Sequence, residues 1–361
     1  MWTYTREDLM AYSQQITPVD DKRRKQMEQK IDGLTKPVGA LGALEEMMIQ
    51  LSGIYEADKI ELDLPVTVIM CADNGVCEEG VSSCPQEVTT TVTYNFTRGI
   101  TGVNKISEFT KSAIHIVDIG VKNTINEDRI INRKVMKGTR NMTQAPAMTH
   151  NEAIQAIFVG IEETEKLIEK GYTLFGTGEM GIGNTTTSAA VLVVLLDKPV
   201  EVMAGKGAGV KDLVYASKIK AIKQAIAKHQ PNKEDPIDVL SKVGGLDIAG
   251  LVGVYLACAK HKKAVVIDGF IASAAAVVAA QIAPLTKTYM IASHLSEEAG
   301  MTYALEALEK EAYLNLKMRL GEGSGCPILF HLLQLAQYTL EGMGTFEEAH
   351  IDAADYQNIW K

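Results

Sequence analysis

Cysteine is sparse in the 361-residue chain and odd in number: Cys71, Cys77, Cys84, Cys258 and Cys326 include no C-x-x-C pair. That excludes a disulfide-stapled scaffold and a zinc knuckle, and it suits a reducing compartment. Long apolar runs are missing too. The two longest, residues 189–196 and 271–280, are too short to span a bilayer. Residues 1–21 are mixed polar and carry no basic stretch followed by an apolar one, so the chain reads as a soluble cytoplasmic protein. A basic excess is also absent, since 36 Lys and Arg stand against 45 Asp and Glu, a net charge of −9. The short clusters at 22–25 and 260–263 read as solvated charges, and nucleic acid and membrane surfaces are not expected as partners.

What is present is an ordinary globular composition, 46% apolar and 22% charged, with length enough for two or three domains' worth of core. Short β-branched runs alternate with longer helix-period stretches, the pattern of βαβ units around a mostly parallel sheet. Strands are expected at 65–70, 113–119, 172–175, 200–203, 264–267 and 288–292, each near-continuously apolar as strands covered on both faces should be. Helices are expected at 151–170, 210–229, 270–281 and 297–312, and the sheet core at roughly 60–310. The two ends, 4–54 and 325–342, are helical in period without a convincing strand. Their stripes, Leu41, Leu44, Met48, Leu51 and Tyr55 against Ile328, Leu332, Leu335 and Leu340, are expected to pack together. The fold class is therefore α/β, a mostly parallel sheet with helices on both faces plus a small helical domain. The expected boundaries are 1–59 together with 325–361 for the small domain and 60–324 for the large one.

The expected strands run into small and polar residues: Asp73-Asn74-Gly75, Asp118-Ile119-Gly120, the stretch from Gly176 to Thr186, Gly205 to Gly209, Asp268-Gly269, and Ser293-His294 to Glu298. Ligands of open parallel sheets bind beyond the carboxyl ends of the strands, where these loops should gather. Gly176-x-Gly178-x-x-Gly181 matches a dinucleotide fingerprint, with Glu201 at a distance suited to a ribose hydroxyl. Gly178 to Thr185 also resembles a Walker loop, but Asn184 replaces its lysine and disfavours ATP. Both patterns leave a glycine-rich turn entering a helix through 184–188, suited to one phosphate. A second cluster, Leu320-Gly321-Glu322-Gly323, holds a carboxylate among glycines, where a glutamate could serve as a general base. Lys218 and Lys36 are the available cations. His294 reads as a hydrogen-bonded core residue.

Taken in order, the motifs resemble the nicotinate-nucleotide:dimethylbenzimidazole phosphoribosyltransferase family. The likeness runs nearly end to end, through Leu34 to Gly39, Ala72-Asp73, Glu79 to Ser82, Val88-Thr89, Asn95-Phe96, Gly178 to Thr186, Gly207 to Lys218, Gly244-Gly245, Asp268 to Phe270, Ser293-His294, Leu320 to Gly323 and Thr345-Phe346. The resemblance implies transfer of phosphoribose from nicotinate mononucleotide to an aromatic base, with inversion at the anomeric carbon and release of nicotinate. It implies a Rossmann-like domain, a small domain built from both chain ends, and a symmetric dimer; no metal or cofactor is implied. By matched position Glu322 would be the base and Glu179 a second active-site carboxylate. Gly178, Gly181, Gly183, Asn184, Thr185, Thr186, Gly207, Lys218 and Ser293 would hold the nucleotide and its phosphate. Asn74, Ser82, Cys84, Thr91, Val92 and Leu320 would line the acceptor pocket.

Departures from the family pattern gather around the acceptor. Asn74 stands for a usual histidine, Thr90-Thr91-Val92 for x-Gln-Met, and Gly99 to Asn104 for a glycine-alanine run. Ala40, Ala43, Ala208 and Lys211 replace polar or acidic residues, and Met301 a histidine. With the nucleotide loop and Glu322 intact, these changes raise the expectation of a phenolic or otherwise unusual acceptor, against simple drift within a dimethylbenzimidazole enzyme. A homologous partner subunit, giving a heterodimer in place of a homodimer, belongs to the same expectation. Two other classes remain open at this point: a nicotinamide-dependent oxidoreductase resting on the glycine fingerprint, and a non-catalytic subunit, against which Glu322, Glu179 and Asn184 argue.

Overall fold

The computed structural model describes residues 4–57, 60–205 and 212–352. Three helices, α1 (Arg6–Ser13), α2 (Asp21–Asp32) and α3 (Ala43–Tyr55), precede β1 (Pro65–Ala72). The chain then runs through α4 (Val88–Arg98) and α5 (Gly102–Thr110) to β2 (Ala113–Gly120) and the short β3 (Ile130–Asn132). Helix α6 (His150–Glu169) returns it to β4 (Leu174–Met180). After β4 come α7 (Asn184–Leu195), α8 (Val200–Met203), α9 (Asp212–His229), α10 (Pro236–Val243) and α11 (Leu246–Lys260), then β5 (Val265–Ile267). Helix α12 (Phe270–Ile282) leads to β6 (Met290–Ala292), followed by α13 (Gly300–Leu308) and α14 (Gly325–Gly342).

The six strands among the described residues are all parallel, in the order β3-β2-β1-β4-β5-β6. The order reverses between β1 and β4, which opens a crevice at their carboxyl ends. Strand β1 is buried throughout, and its side chains alternate between two cores. Val68 and Met70 share a core with α11, while Ile69 and Cys71 pack with Phe96 of α4 and Val103 of α5. Helix α6 crosses α11 so closely that a Cβ on Gly160 would fall 1.9 Å from the Gly250 carbonyl oxygen. No helix among the described residues is long and apolar enough to cross a membrane.

Several expected elements come out differently. Residues 200–203 form helix α8: Val200 and Met203 are buried at helical spacing, Glu201 is exposed, and the Met203 N–H donates to the Pro199 carbonyl. Four residues are too few to separate the two periods from sequence. The strand expected at 172–175 begins at Leu174 and runs on to Met180 through residues that read as loop. The last strand shrinks to Met290–Ala292 behind a turn of 3-10 helix, and the helix expected at 297–312 to Gly300–Leu308, ended by Glu309 in a left-handed conformation. The α14 stripe is broader than expected: Leu329, Phe330, Leu333 and Ala336 face the core with the expected Leu340, Leu332 packs against it, and Leu335 is exposed. The chain ends meet where the Thr35 N–H donates to the Gly344 carbonyl at 2.9 Å. Lys36 is buried in an ion pair with Glu45, Nζ to Oε1 2.9 Å, so it is not a cation free for a ligand.

Candidate active site

A cleft of about 330 Å³ opens beyond the carboxyl ends of β4, β5 and β6. Its shape begins with strand period. Gly176 and Gly178 are two apart on β4 and point to the same face. A Cβ on Gly176 would lie 2.6 Å from the Cys326 Cβ, and one on Gly178 would lie 2.8 Å from the Glu322 carbonyl oxygen. These glycines therefore admit α14 and the loop before it against the sheet, and they do not form a phosphate-cradling turn. The dinucleotide and Walker readings fail for that reason. Glu201, the supposed ribose ligand, is exposed on α8 and paired with Lys223.

The loop so admitted carries Glu322. Gly321, Glu322 and Gly323 are all left-handed, with φ of 79°, 63° and 82°. Glycine tolerates this freely; a glutamate between two of them is strained by order 1 kcal/mol, a feature that clusters at functional sites. The Glu322 carboxylate reaches the N-terminus of α5, where Oε2 accepts the Val103 N–H at 3.3 Å. Burial raises its proton affinity, opposed by the Val103 and Gly102 N–H groups.

Against the same turn, Glu179 stands one residue before the end of β4 among other acids, its carboxyl accepting the Glu322 backbone N–H. Burial and the nearby charge of Asp247 push its carboxyl up to about 8. Burial also lifts Asp268 to about 7, against the N–H groups of Gly325 and Gly323 that donate to it at 2.7 and 3.2 Å. Asp247 is raised to about 6, again by burial, and the Asn184 amide works the other way. Near neutrality Glu179 thus holds a proton and can offer an O–H to a ligand. At the other end of the cleft Lys218 donates to Thr185 Oγ1 at 3.1 Å and lies near Glu298. Burial depresses the lysine and raises the acid, and each partly offsets the shift of the other.

Of the residues expected from sequence, Glu179, Gly181, Asn184, Thr185, Leu320 and Glu322 line the cleft, with Cys84 and Val92 on its wall. Lys218 reaches it through Thr185. Gly178 and Gly183 shape the backbone instead: Gly183 caps α7 in a left-handed conformation, where a Cβ would meet Cys77 Sγ. Thr186 is fully buried in α7, and the N–H groups of Asn184 and Thr186 are taken by the Gly181 and Gly183 carbonyls. The helix N-terminus therefore offers an anion less than its sequence suggests. Ser293 is buried, its hydroxyl donating to the Asp268 carbonyl at 3.0 Å. Asn74 is buried behind the wall, beside Gly181 and Gly245, because a short side chain directly after β1 stays under the loops. Thr91 is exposed on α4 with its hydroxyl on the Glu87 carbonyl, and Ser82 accepts the Cys84 N–H; neither lines the cleft. Gly207, with Ala208 and Lys211, lies outside the described residues. His294 is buried on the cleft wall, Nδ1 3.0 Å from Ser293 Oγ and 4.0 Å from Asp268 Oδ1.

Asp268, Glu298 and Arg319 also line the cleft, and Asp247 stands behind it. Asp268-Gly269 at a strand end was a signal for the first. Nothing local marks Asp247, whose role comes from the start of a helix more than sixty residues after Asn184.

A family model described as phosphoribosyltransferase matches residues 16–351. The chain is 48% identical over 337 residues to a nicotinate-nucleotide–dimethylbenzimidazole phosphoribosyltransferase of Clostridium acetobutylicum, covering 93% of this chain and 96% of that one. It is 48% identical over 346 residues to a protein of the same name from Ruminiclostridium cellulolyticum, covering 95% and 98%. A crystal structure of the similarly named protein of Thermus thermophilus superposes with a TM-score of 0.87 at 37% identity, over 92% of this chain and 99% of that one.

Proposed function

The chain belongs to the nicotinate-nucleotide–dimethylbenzimidazole phosphoribosyltransferase family, and on that premise we propose how its cleft carries out the transfer. The enzyme moves phosphoribose from nicotinate mononucleotide to an aromatic lower-ligand base, giving an α-riboside 5′-phosphate and nicotinate. The phosphate sits at Lys218 and Thr185, and the ribose lies over Glu179 and Asn184. The acceptor enters along Cys84, Val92, Met180 and Leu320. The acceptor nitrogen attacks the anomeric carbon as its bond to the nicotinate ring nitrogen breaks, and that electron pair leaves with nicotinate. Glu322 takes the acceptor's proton. The acidic cleft favours the positive charge that develops on the sugar, and the anchored phosphate keeps attack in line.

The observation that carries this reading is Glu322, held in a left-handed turn whose backbone N–H meets the buried Glu179 carboxyl, both residues lining the cleft. Its test is release of nicotinate from nicotinate mononucleotide, with dimethylbenzimidazole or phenol as acceptor and Glu322→Gln as control. Loss of about 10²–10⁴-fold in kcat is expected in the variant. Equal release by the variant sinks the assignment. Dimethylbenzimidazole is the acceptor in the relatives' names, and it is our first reading here. A phenolic acceptor keeps less support, because Asn74 and Thr91 lie off the cleft wall; of the changed positions Val92 lines it, and Gly102 and Val103 adjoin Glu322 behind it.

Pairing of two chains belongs to this reading, as a homodimer or with a homologous subunit. It is supported by an exposed apolar face on α5 and α14, where Phe109 is 78% and Tyr338 81% exposed. Measuring the mass in solution by light scattering tests it. A small unit of 1–59 with 325–361 against 60–324 is supported by the pairing of Leu34 with Thr345. Five free cysteines suit a cytoplasmic location.

A further inference from the structure

Asn184 is the only amide side chain on the cleft wall among the described residues, and its two N–H bonds are both spent on carboxylates. One goes to Glu179 Oε2 and the other to Asp247 Oδ2 at 3.0 Å. An amide has two donors and one carbonyl oxygen, so the oxygen is what remains for a ligand. Asp247 itself has no accessible surface and does not line the cleft. Its chamber is cut to fit: a Cβ on Gly181 would lie 2.7 Å from Asp247 Oδ2, and one on Gly245 would lie 2.4 Å from Oδ1. At Gly245 this carboxylate is the nearest obstacle to a side chain, and at Gly181 it adds to the Ala72 carbonyl oxygen at 2.4 Å. The residue also opens α11, where its Oδ1 accepts the Ile248 N–H at 3.0 Å and the helix N-terminus favours a negative charge.

We propose that Asp247 is a positioning residue for the transfer: from behind the wall it holds one N–H of the Asn184 amide while Glu179 takes the other, fixing which atoms of both groups meet the donor ribose. The inference rests on the reading of the cleft as the nucleotide site. It has an electrostatic counterpart. Glu179 is faced by two acids, Asp247 from α11 and Asp268 from the end of β5, while the Asn184 amide and the backbone N–H of Glu322, from the loop before α14, favour its charged form. Asp247 is the nearest of these acids in effect, second only to burial, and the neutral Asn74 amide adjoins it. A charged Asp247 therefore keeps Glu179 in its protonated, donor form near neutrality.

Two variants separate the pin from the charge. Asp247→Asn keeps an oxygen for the Asn184 N–H and loses the charge; Asp247→Ala loses both. With Asp247→Ala, KM for nicotinate mononucleotide should rise and kcat fall, together on the order of a hundredfold in kcat/KM. With Asp247→Asn, the fall of kcat/KM on the alkaline side should move to lower pH, which a merely structural residue would not cause. A third readout needs no turnover: the carboxyl carbon resonance of Glu179 in glutamate-labelled protein, assigned by its loss in Glu179→Gln. Its titration should move to lower pH in Asp247→Asn. An unchanged kcat/KM in Asp247→Ala overturns the positioning role, and an unmoved Glu179 titration in Asp247→Asn overturns its electrostatic counterpart. Wild-type protein that releases no nicotinate with any acceptor defeats the functional reading instead, and the resonance still decides the effect of Asp247 on Glu179.

Discussion

Gly178 and Gly323 meet backbone to backbone: a Cβ on Gly323 would lie 2.9 Å from the Gly178 Cα. The contact sets how far the Glu322 turn descends onto β4, and hence where its carboxylate stands relative to Glu179. Neither glycine has space to give, since Gly323 is also left-handed and faces Thr67 Cγ2 on β1.

Gly178→Ala is therefore expected to lift the turn. A Cβ 2.8 Å from the Glu322 carbonyl oxygen must displace backbone, at about 1–3 kcal/mol of stability. A base moved by about 1 Å costs on the order of 10²-fold in rate. The kinetic loss should fall on kcat more than on KM for nicotinate mononucleotide, because Lys218 and Thr185 lie elsewhere. Thermal unfolding and steady-state rates check both halves. A variant with native kcat would show that the turn is not set by this contact.

The same pair marks how far sequence reading reaches. The glycines of the 176–183 stretch were legible as special, and the order of strands and motifs was enough to place the cleft at the strand ends. Their purpose was not legible, because a G-x-G two apart on a strand and a G-x-G in a turn look alike until the strand's end is known. Asn74 and Thr91, expected at the acceptor, lie off the cleft wall for a different reason. A family position names a neighbourhood, whereas burial and helix phase decide which side chain in it touches a ligand. Asp247 was invisible because its partners, Glu179 and Asn184, come from β4 and α7 while it opens α11.

The pH dependence of stability follows from the buried acids. Glu179 titrates at about 8 in the folded chain against an ordinary value of 4.5, so the folded state binds its proton more tightly than the unfolded state. Its contribution is fully present below about 4.5 and is lost as pH rises through about 8. Glu179→Gln removes the penalty for ionising in place. The variant should melt higher than wild type at pH 9 and show no such gain at pH 5. Scanning calorimetry at the two values checks this, and equal shifts at both would mean that the carboxyl is already ionised at pH 5.

Lys218 joins the end of the cleft proposed to hold the phosphate to an acid, Glu298. Burial opposes its charge, while Glu298 and the Thr185 hydroxyl support it. A bound phosphate would add a second negative partner, so the lysine should gain more from donor than from acceptor. Lys218→Met should raise KM for nicotinate mononucleotide by roughly tenfold to a hundredfold, the scale of one charged hydrogen bond of about 1.5–3 kcal/mol, with a smaller change in kcat. An unchanged KM would place the phosphate elsewhere.

On the proposed reading, acceptor choice turns on the wall formed by α4. Val92 is half-buried there, and it lines the cleft beside Cys84 and Met180. Val92→Phe adds a ring's worth of volume to a space of about 330 Å³ without touching Glu322 or the phosphate end. A two-ring base such as dimethylbenzimidazole needs more of that space than a phenol. Its KM should rise by about tenfold, in line with the roughly 1–3 kcal/mol that one misplaced hydrophobic group costs, while KM for the donor holds. If both acceptors lose equally, the wall limits entry rather than fit. If neither loses, the acceptor stacks against another wall, and Leu320 on the Glu322 loop becomes the residue to change next.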